Sequence, residues 1–214
     1  MAIVDLICSF TTGNPNFIRI DDDNVVSGIN VGSEFWFVLA AQQFCYLNRQ
    51  LAALSSTIGM PKVDVMRARI LDINPKCEVT AKKIFIDADN AASLVGGATY
   101  VVDAVDNVTA KLAIITACQK SGVPAISAMG AGNKLAGDFK VTDISKTSGD
   151  ALARVMRREL RKRGIEHQKV VCTDSKAMIQ IEKGEAMPSI SYMPGLCGLV
   201  IAGEVVRDVI KERP

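Results

Sequence analysis

Short apolar runs alternate with helical patterns along the middle of the chain, and this alternation limits the folds open to it. Lys62 follows Pro61 and opens a stretch with apolar residues at helical spacing, which Asn74-Pro75 interrupts. Further helical patterns lie near residues 89–94 and 109–121, and runs typical of strands lie at residues 77–85, 100–104 and 123–127. This order predicts an α/β fold with a doubly wound, mostly parallel, Rossmann-like sheet.

The length of 214 residues, 49% of them hydrophobic, fits one sizeable domain. We expect a nucleotide-binding core at residues 47–145, followed by a C-terminal strand and helix extension at residues 146–214. Residues 1–46 are atypical. Within them, residues 31–46 hold five of the eleven aromatic residues and one charge, and they predict either a buried helix or a strand, because their periodicity does not decide.

The cysteines and apolar runs indicate a reduced, cytoplasmic protein. No two of the six cysteines form a C-x-x-C pair, so a zinc knuckle is not expected. Several of them lie in apolar runs typical of buried thiols. The single histidine, His167, is expected to be a solvated surface residue. We find neither a secretory signal pattern nor an apolar run of the ~18 residues that a membrane span needs.

Two cations and a carboxylate suggest a nucleotide site. Arg49 and Lys62 precede or open helices, where backbone N–H groups and the helix dipole favour anions such as a triphosphate. Asp106 follows a buried strand at a βα turn, where it could bind Mg²⁺ beside the phosphates. Taken singly, each has a simpler interpretation: an ion pair for Arg49, a surface residue for Lys62, and the N-cap of the following helix for Asp106.

Two further segments bear on nucleotide binding. Asp21 and Asp23 follow a short predicted strand at residues 17–20, where a doubly wound fold binds a ribose hydroxyl, although aspartates are also common in solvated loops. Residues 129–138 contain Gly-Ala-Gly but do not lie between a first strand and a helix, so an ordinary loop is favoured.

A basic amphipathic helix is predicted at residues 150–163, and in its last ten residues, 154–163, six cations are offset by Glu159 alone. The candidate nucleic-acid contacts are Arg154, Arg157, Arg158, Arg161, Lys162 and Arg163. The cluster is equally compatible with a solvated helix face and with contacts to phosphates, which such clusters favour by releasing counterions.

Taken together, these stretches resemble one family. The pattern N-R-Q at residues 48–50, G-x-x-K at 59–62, I-N-P at 73–75 and D-A-x-D-N at 103–107 is similar to the ubiquitin-activating-type adenylating enzymes, which include ThiF and the molybdopterin-pathway adenylyltransferases. Within that family, residues 146–164 and 189–210 most resemble the branch of tRNA threonylcarbamoyladenosine dehydratases. The absence of zinc-type C-x-x-C pairs and the basic helix also favour this branch.

The resemblance implies ATP-dependent activation of a carboxylate, with ATP and Mg²⁺ as cofactors, in a homodimer that acts on tRNA. By this carry-over, Arg49 and Lys62 bind phosphate and Asp106 binds the metal. Asn48 and Asn107 belong to the same nucleotide-binding patterns, and Asp21 or Asp23 binds ribose.

The family's glycine-rich loop, G-x-G-G-x-G between a first strand and a helix, does not precede Asp21. Residues 12–23 resemble the run that follows that helix, so the fold is expected to be incomplete at its N-terminal side unless residues 2–11 supply the strand. Between Asp23 and Asn48 the family needs only a short connection, so the resemblance implies an insertion near residues 31–46. Three hypotheses follow: an active dehydratase with an unusual nucleotide site, an adenylyltransferase of a ubiquitin-like or sulfur-carrier protein, and an inactive or truncated family member that keeps tRNA or dimer contacts.

Overall fold

The computed structural model describes residues 16–20, 25–30, 35–41, 52–180 and 188–211, and for residues 16–41 it gives the path of the backbone only. The strands are β1 (Asn16–Ile20), β2 (Val25–Asn30), β3 (Phe35–Ala41), β4 (Cys77–Ala81), β5 (Tyr100–Ala104), β6 (Ala125–Ala128), β7 (Lys140–Asp143) and β8 (Lys169–Cys172). The helices are α1 (Lys62–Ile73), α2 (Ala91–Val95), α3 (Val108–Ser121), α4 (Ala151–Arg161) and α5 (Tyr192–Lys211).

Six strands form the main sheet, in the order β2-β3-β5-β6-β8-β7. The four central strands run parallel, and β2 and β7 are antiparallel at the two edges. β1 and β4 pair in parallel as a separate two-stranded sheet. The mostly parallel α/β sheet predicted from the alternation of strands and helices is therefore confirmed, and the carboxyl ends of β5, β6 and β8 lie along one edge.

Helices cover both faces of the central strands, as a doubly wound sheet requires. Neighbouring residues of β5 point to opposite faces, so Val102 packs in a cluster with residues of α1 and α5, whereas Val101 packs with residues of α2 and α3. A third cluster joins α3 to α4 through Ile115 and Met156. The core clusters thus pack the helices on the faces of the sheet, and the carboxyl ends of the strands are where a fold of this type binds ligands.

The strand beside β5 comes from an unexpected part of the chain. We expected the sheet to lack its first strand, or to take one from residues 2–11, which lie outside the described residues. Instead β3, within the aromatic-rich residues 31–46, runs parallel to β5. The segment interpreted as an insertion therefore contributes a strand, paired on its other side with β2, which the sequence did not predict.

Most predicted helices and strands lie within a few residues of their observed positions. β5 has the predicted bounds, and α1 begins at Lys62 as expected. The strand predicted at residues 77–85 is shorter and ends at Ala81. Among the described residues, no helix is long and apolar enough to cross a membrane.

Candidate functional site

The turn between β5 and α3 presents a carboxylate, that of Asp106, with no partner among the residues that the structure describes. Asn107 is the N-cap of α3, because its side-chain oxygen accepts a hydrogen bond from the backbone N–H of Ala110 at 3.0 Å. The alternative interpretation of Asp106 as the helix cap is therefore wrong. Asp106 is exposed and makes no hydrogen bond or ion pair with any residue that the structure describes. Within the described part of the chain, its carboxylate is available for a ligand.

A buried ion pair lies behind this turn. The ammonium of Lys111, on the first turns of α3, is 2.7 Å from a carboxylate oxygen of Asp103 on β5, and both side chains are fully buried. The other oxygen of Asp103 accepts a hydrogen bond from the backbone N–H of Val105 at 3.0 Å. Burial raises the pKa of Asp103, and the adjacent ammonium opposes that rise. The pair therefore fixes the base of the turn.

The chemistry of the turn fits Mg²⁺ held together with a nucleotide. Magnesium in phosphate-binding sites usually takes one or two carboxylates, with substrate phosphates and water completing its octahedron. Asp106 would supply one such carboxylate. The described residues contain no cluster of three or more acidic, histidine or cysteine side chains that could hold a metal by themselves. A metal at Asp106 would take this carboxylate as one ligand beside the phosphates of a bound nucleotide.

The cationic side of the expected site is described in part. Lys62 is half-buried at the first position of α1, and the next residue, Val63, packs in the same cluster as Ala128 and Ala131 at the carboxyl end of β6. The start of α1 and the strand end next to β5 therefore belong to the same core cluster. The other predicted residues of this side lie outside the described residues: Asp21, Asp23, Asn48 and Arg49. Their roles stay predictions.

The glycine-rich loop after β6 is held by contacts within the protein. Lys134 is buried, and its ammonium donates to Asp150 at 3.0 Å and to the carbonyl oxygens of Gly130 and Thr173. A Cβ on Gly130 would lie 2.7 Å from a carboxylate oxygen of Asp150, so the glycine allows this close approach. These contacts agree with the expected ordinary loop.

The basic face of α4 divides into engaged and unengaged cations. Arg158, Lys162 and Arg163 all contact Glu159, and the hydrogen bonds from Lys162 and Arg158 lower the pKa of Glu159 to about 2. The guanidinium of Arg157 donates to the carbonyl oxygen of Thr147 at 2.7 Å. The two remaining cations of the predicted set, Arg154 and Arg161, are exposed and have no bonded partner among the described residues.

The described cysteines and His167 have structural or surface environments. Burial raises the pKa of Cys118 and of Cys197 to about 12, so both are neutral thiols near pH 7. The imidazole of His167 is exposed, 3.4 Å from a carboxylate oxygen of Asp143. The four described cysteines are buried and His167 is exposed, as the sequence-based interpretation expected.

Comparison with known proteins identifies the family. The ThiF family model matches residues 45–214. The chain belongs to the ThiF family. It is 40% identical over 184 residues to the tRNA threonylcarbamoyladenosine dehydratase of Bacillus subtilis, an alignment that covers 78% of this chain and 72% of that protein. The Escherichia coli enzyme of the same name is 40% identical over 116 residues, which cover 53% of this chain and 43% of that protein.

Solved structures agree with this assignment of a ThiF family member. The structure of E. coli tRNA N6-threonylcarbamoyladenosine dehydratase, TcdA, in complex with AMP matches with a TM-score of 0.79 and 26% identity, over 98% of this chain and 81% of that one. The complex of TcdA with ATP matches with a TM-score of 0.78 and 25% identity, over the same shares of the two chains. The resemblance to adenylating enzymes found in the sequence patterns is thus confirmed.

Sequence reasoning missed the lysines that support the site. Lys111 and Lys134 were given no role, and Asp150 was treated only as the start of a basic helix. Their partners lie 8 and 16 residues away along the chain. A signal was present for Lys111, because it interrupts the apolar inward face of α3 and is flanked by buried residues.

Proposed function

We propose that this ThiF family member is an ATP-dependent tRNA threonylcarbamoyladenosine dehydratase. The observation that carries the proposal is the exposed carboxylate of Asp106 at the carboxyl end of β5, which has no partner among the described residues, in a chain 40% identical to a dehydratase of that name. Within the proposed domain, residues 47–145 hold the nucleotide and residues 146–214 provide the basic helix and close the fold.

The proposed reaction activates a carboxylate at the expense of ATP. A carboxylate oxygen of the threonylcarbamoyl group attacks the α-phosphorus, pyrophosphate leaves, and an acyl adenylate forms. Ring closure on the activated carbonyl then expels AMP, so that the substrate loses the elements of water. Arg49 and Lys62 hold the phosphates and stabilise the charge that develops on them. Asp21 or Asp23 binds the ribose.

Asp106 is the residue that would hold Mg²⁺ in this scheme. The metal supplies neutralisation of phosphate charge and orientation of the leaving pyrophosphate. Asn48 and Asn107 flank the phosphate-binding and metal-binding positions. The side-chain oxygen of Asn107 already accepts from Ala110, and its amide N–H₂ group could donate to the nucleotide.

The tRNA surface of the proposed enzyme is the basic helix α4. Phosphates would be contacted first by Arg154 and Arg161, seven residues apart and therefore about 10 Å apart along the same helix face. The cations around Glu159 lie next to this row and add to its positive field. We also propose that the chain acts as a homodimer.

Calorimetric titration of the purified chain with ATP and Mg²⁺ tests the first half of the proposal. We expect a dissociation constant in the micromolar range, since substrate affinities of enzymes fall at about 1 μM to 1 mM. Binding no tighter than about 1 mM would leave the inactive relative as the better hypothesis.

Release of AMP tests the second half. With tRNA that carries threonylcarbamoyladenosine, we expect AMP to form in proportion to cyclised tRNA, and with unmodified tRNA we expect none. If AMP instead forms only when a ubiquitin-like or sulfur-carrier protein is supplied, the chain is a carrier-protein adenylyltransferase.

A further inference from the structure

The buried pair of Asp103 and Lys111 carries an inference beyond the proposed reaction. Both side chains have no exposed surface, and their charged atoms are 2.7 Å apart. A buried ion pair is seldom better for stability than apolar side chains of the same volume, because both charges must be removed from water. What distinguishes this pair from apolar side chains is the geometry that it imposes on its neighbours.

That geometry concerns the backbone leading to Asp106. One oxygen of Asp103 is held by Lys111, which leaves the second oxygen directed at the backbone N–H of Val105, 3.0 Å away. This hydrogen bond, from the backbone N–H two residues further along the chain, forms an Asx-type turn. On the other side of Asp106, the side chain of Asn107 accepts from Ala110 and begins α3. The backbone is thus held on both sides of the Asp106 carboxylate, which has no partner in the described ranges.

We propose that Asp103 and Lys111 form a positioning pair that aims the Asp106 carboxylate at the metal of a bound nucleotide. Lys111 orients Asp103, Asp103 holds Val105, and the resulting turn presents Asp106. Neither member of the pair touches the nucleotide. The inference rests on the proposed function, because it assumes that a nucleotide and its metal bind at this edge.

Two double variants test the inference without leaving a buried charge unpaired. Asp103→Asn with Lys111→Met removes both charges but keeps a side-chain oxygen that can accept from Val105. Asp103→Ala with Lys111→Met removes both charges and the acceptor. For each protein, the affinity for ATP is measured by calorimetry with and without Mg²⁺, and the ratio of the two affinities is the metal increment.

We expect the variant without the acceptor to lose about tenfold or more of the metal increment, because partners behind a metal ligand typically contribute 10–100-fold to metal affinity. The variant that keeps the acceptor should retain most of it, and the affinity for metal-free ATP should be the same in all proteins. Equal metal increments in the two double variants would overturn the inference.

Two further variants separate positioning from folding. Asp103→Glu keeps the ion pair but moves the acceptor oxygen by one methylene, so it should also lower the metal increment. A full metal increment in this variant would contradict the inference, even if the alanine variant does not fold. Tyr100→Phe removes a hydrogen bond to Asp208 at the opposite end of β5 and should lower the melting temperature without changing the increment.

The failures of the two proposals are distinguishable. If the unmodified chain shows no metal-dependent affinity for ATP, the proposed function itself fails. If the unmodified chain shows a metal increment and every Asp103 variant shows the same one, only the positioning role is lost.

Discussion

The turn after β5 and the loop after β6 leave the same edge of the sheet, and each is supported by a buried lysine–aspartate pair. In the turn, Lys111 and Asp103 lie beneath the backbone, and Asp106 has no partner among the described residues. In the loop, Lys134 itself is buried against Asp150 and two carbonyl oxygens. In our proposal, the first pair orients a metal ligand, whereas the lysine of the second pair uses its donors within the protein.

The difference shows why residue type alone is a poor guide to a phosphate site. Gly-Ala-Gly-Asn-Lys, at residues 130–134, has the composition of a phosphate-binding loop, but its lysine has no donor left for a ligand. Gly149 shows the same use of glycine, because its backbone has a φ of +72° and a Cβ there would lie 2.7 Å from the carbonyl oxygen of Asp174. These glycines serve close packing at the start of α4.

The largest expected effect is a loss of ATP turnover when the Asp106 carboxylate of the turn is removed. Asp106→Ala should reduce Mg²⁺-dependent ATP turnover by roughly a thousandfold, about 4 kcal/mol of transition-state stabilisation, because the metal loses its protein ligand. Its melting temperature should stay unchanged, since the side chain makes no bond within the described residues. Turnover is measured as AMP release, with Asp72→Ala on the exposed face of α1 as the matched control. Full activity in Asp106→Ala would refute its assigned role.

The second expected effect concerns stability and belongs to the loop. Lys134→Met should destabilise the chain by about 3–5 kcal/mol in denaturant unfolding, because Asp150 is left buried without its partner. Adding Asp150→Asn should restore much of that loss, since asparagine caps a helix about as well as aspartate. A loss below about 1 kcal/mol in Lys134→Met would show that the loop is not held by this pair.

Local patterns predicted the elements on which this comparison depends, and long-range contacts decided the rest. Tyr100–Ala104 and the helix that begins at Lys62 follow from an apolar run and from helical spacing after a proline. The place of β3 beside β5 could not be predicted, because an aromatic-rich segment has no decisive period and strand pairing is non-local. Nor could the sequence decide between Asp106 and Asn107 as the cap, since both residue types suit that position.

For the candidate site, the sequence supplied residues but not their bonding. Asp106 was selected by its place after a buried strand, and its freedom became evident only once Asn107 was found to cap α3. The basic helix was predicted from its charges. Thr147 and Glu159 then determine which of these cations are bonded within the protein. Such partners are set by packing, which spacing along the chain does not encode.

The smallest expected effect concerns tRNA binding by α4, whose cations also differ in whether they are bonded within the described part of the protein. Arg154→Gln with Arg161→Gln should weaken tRNA binding about tenfold and reduce the slope of log affinity against log salt by roughly 1.5–2, because two phosphate contacts are lost. Lys162→Gln with Arg163→Gln removes the same charge from cations that already contact Glu159, so it should change the slope less. Filter binding over a range of salt concentrations measures both. Equal slopes for the two pairs would mean that tRNA senses only the total charge of the helix, and an unchanged slope in both would place the tRNA elsewhere.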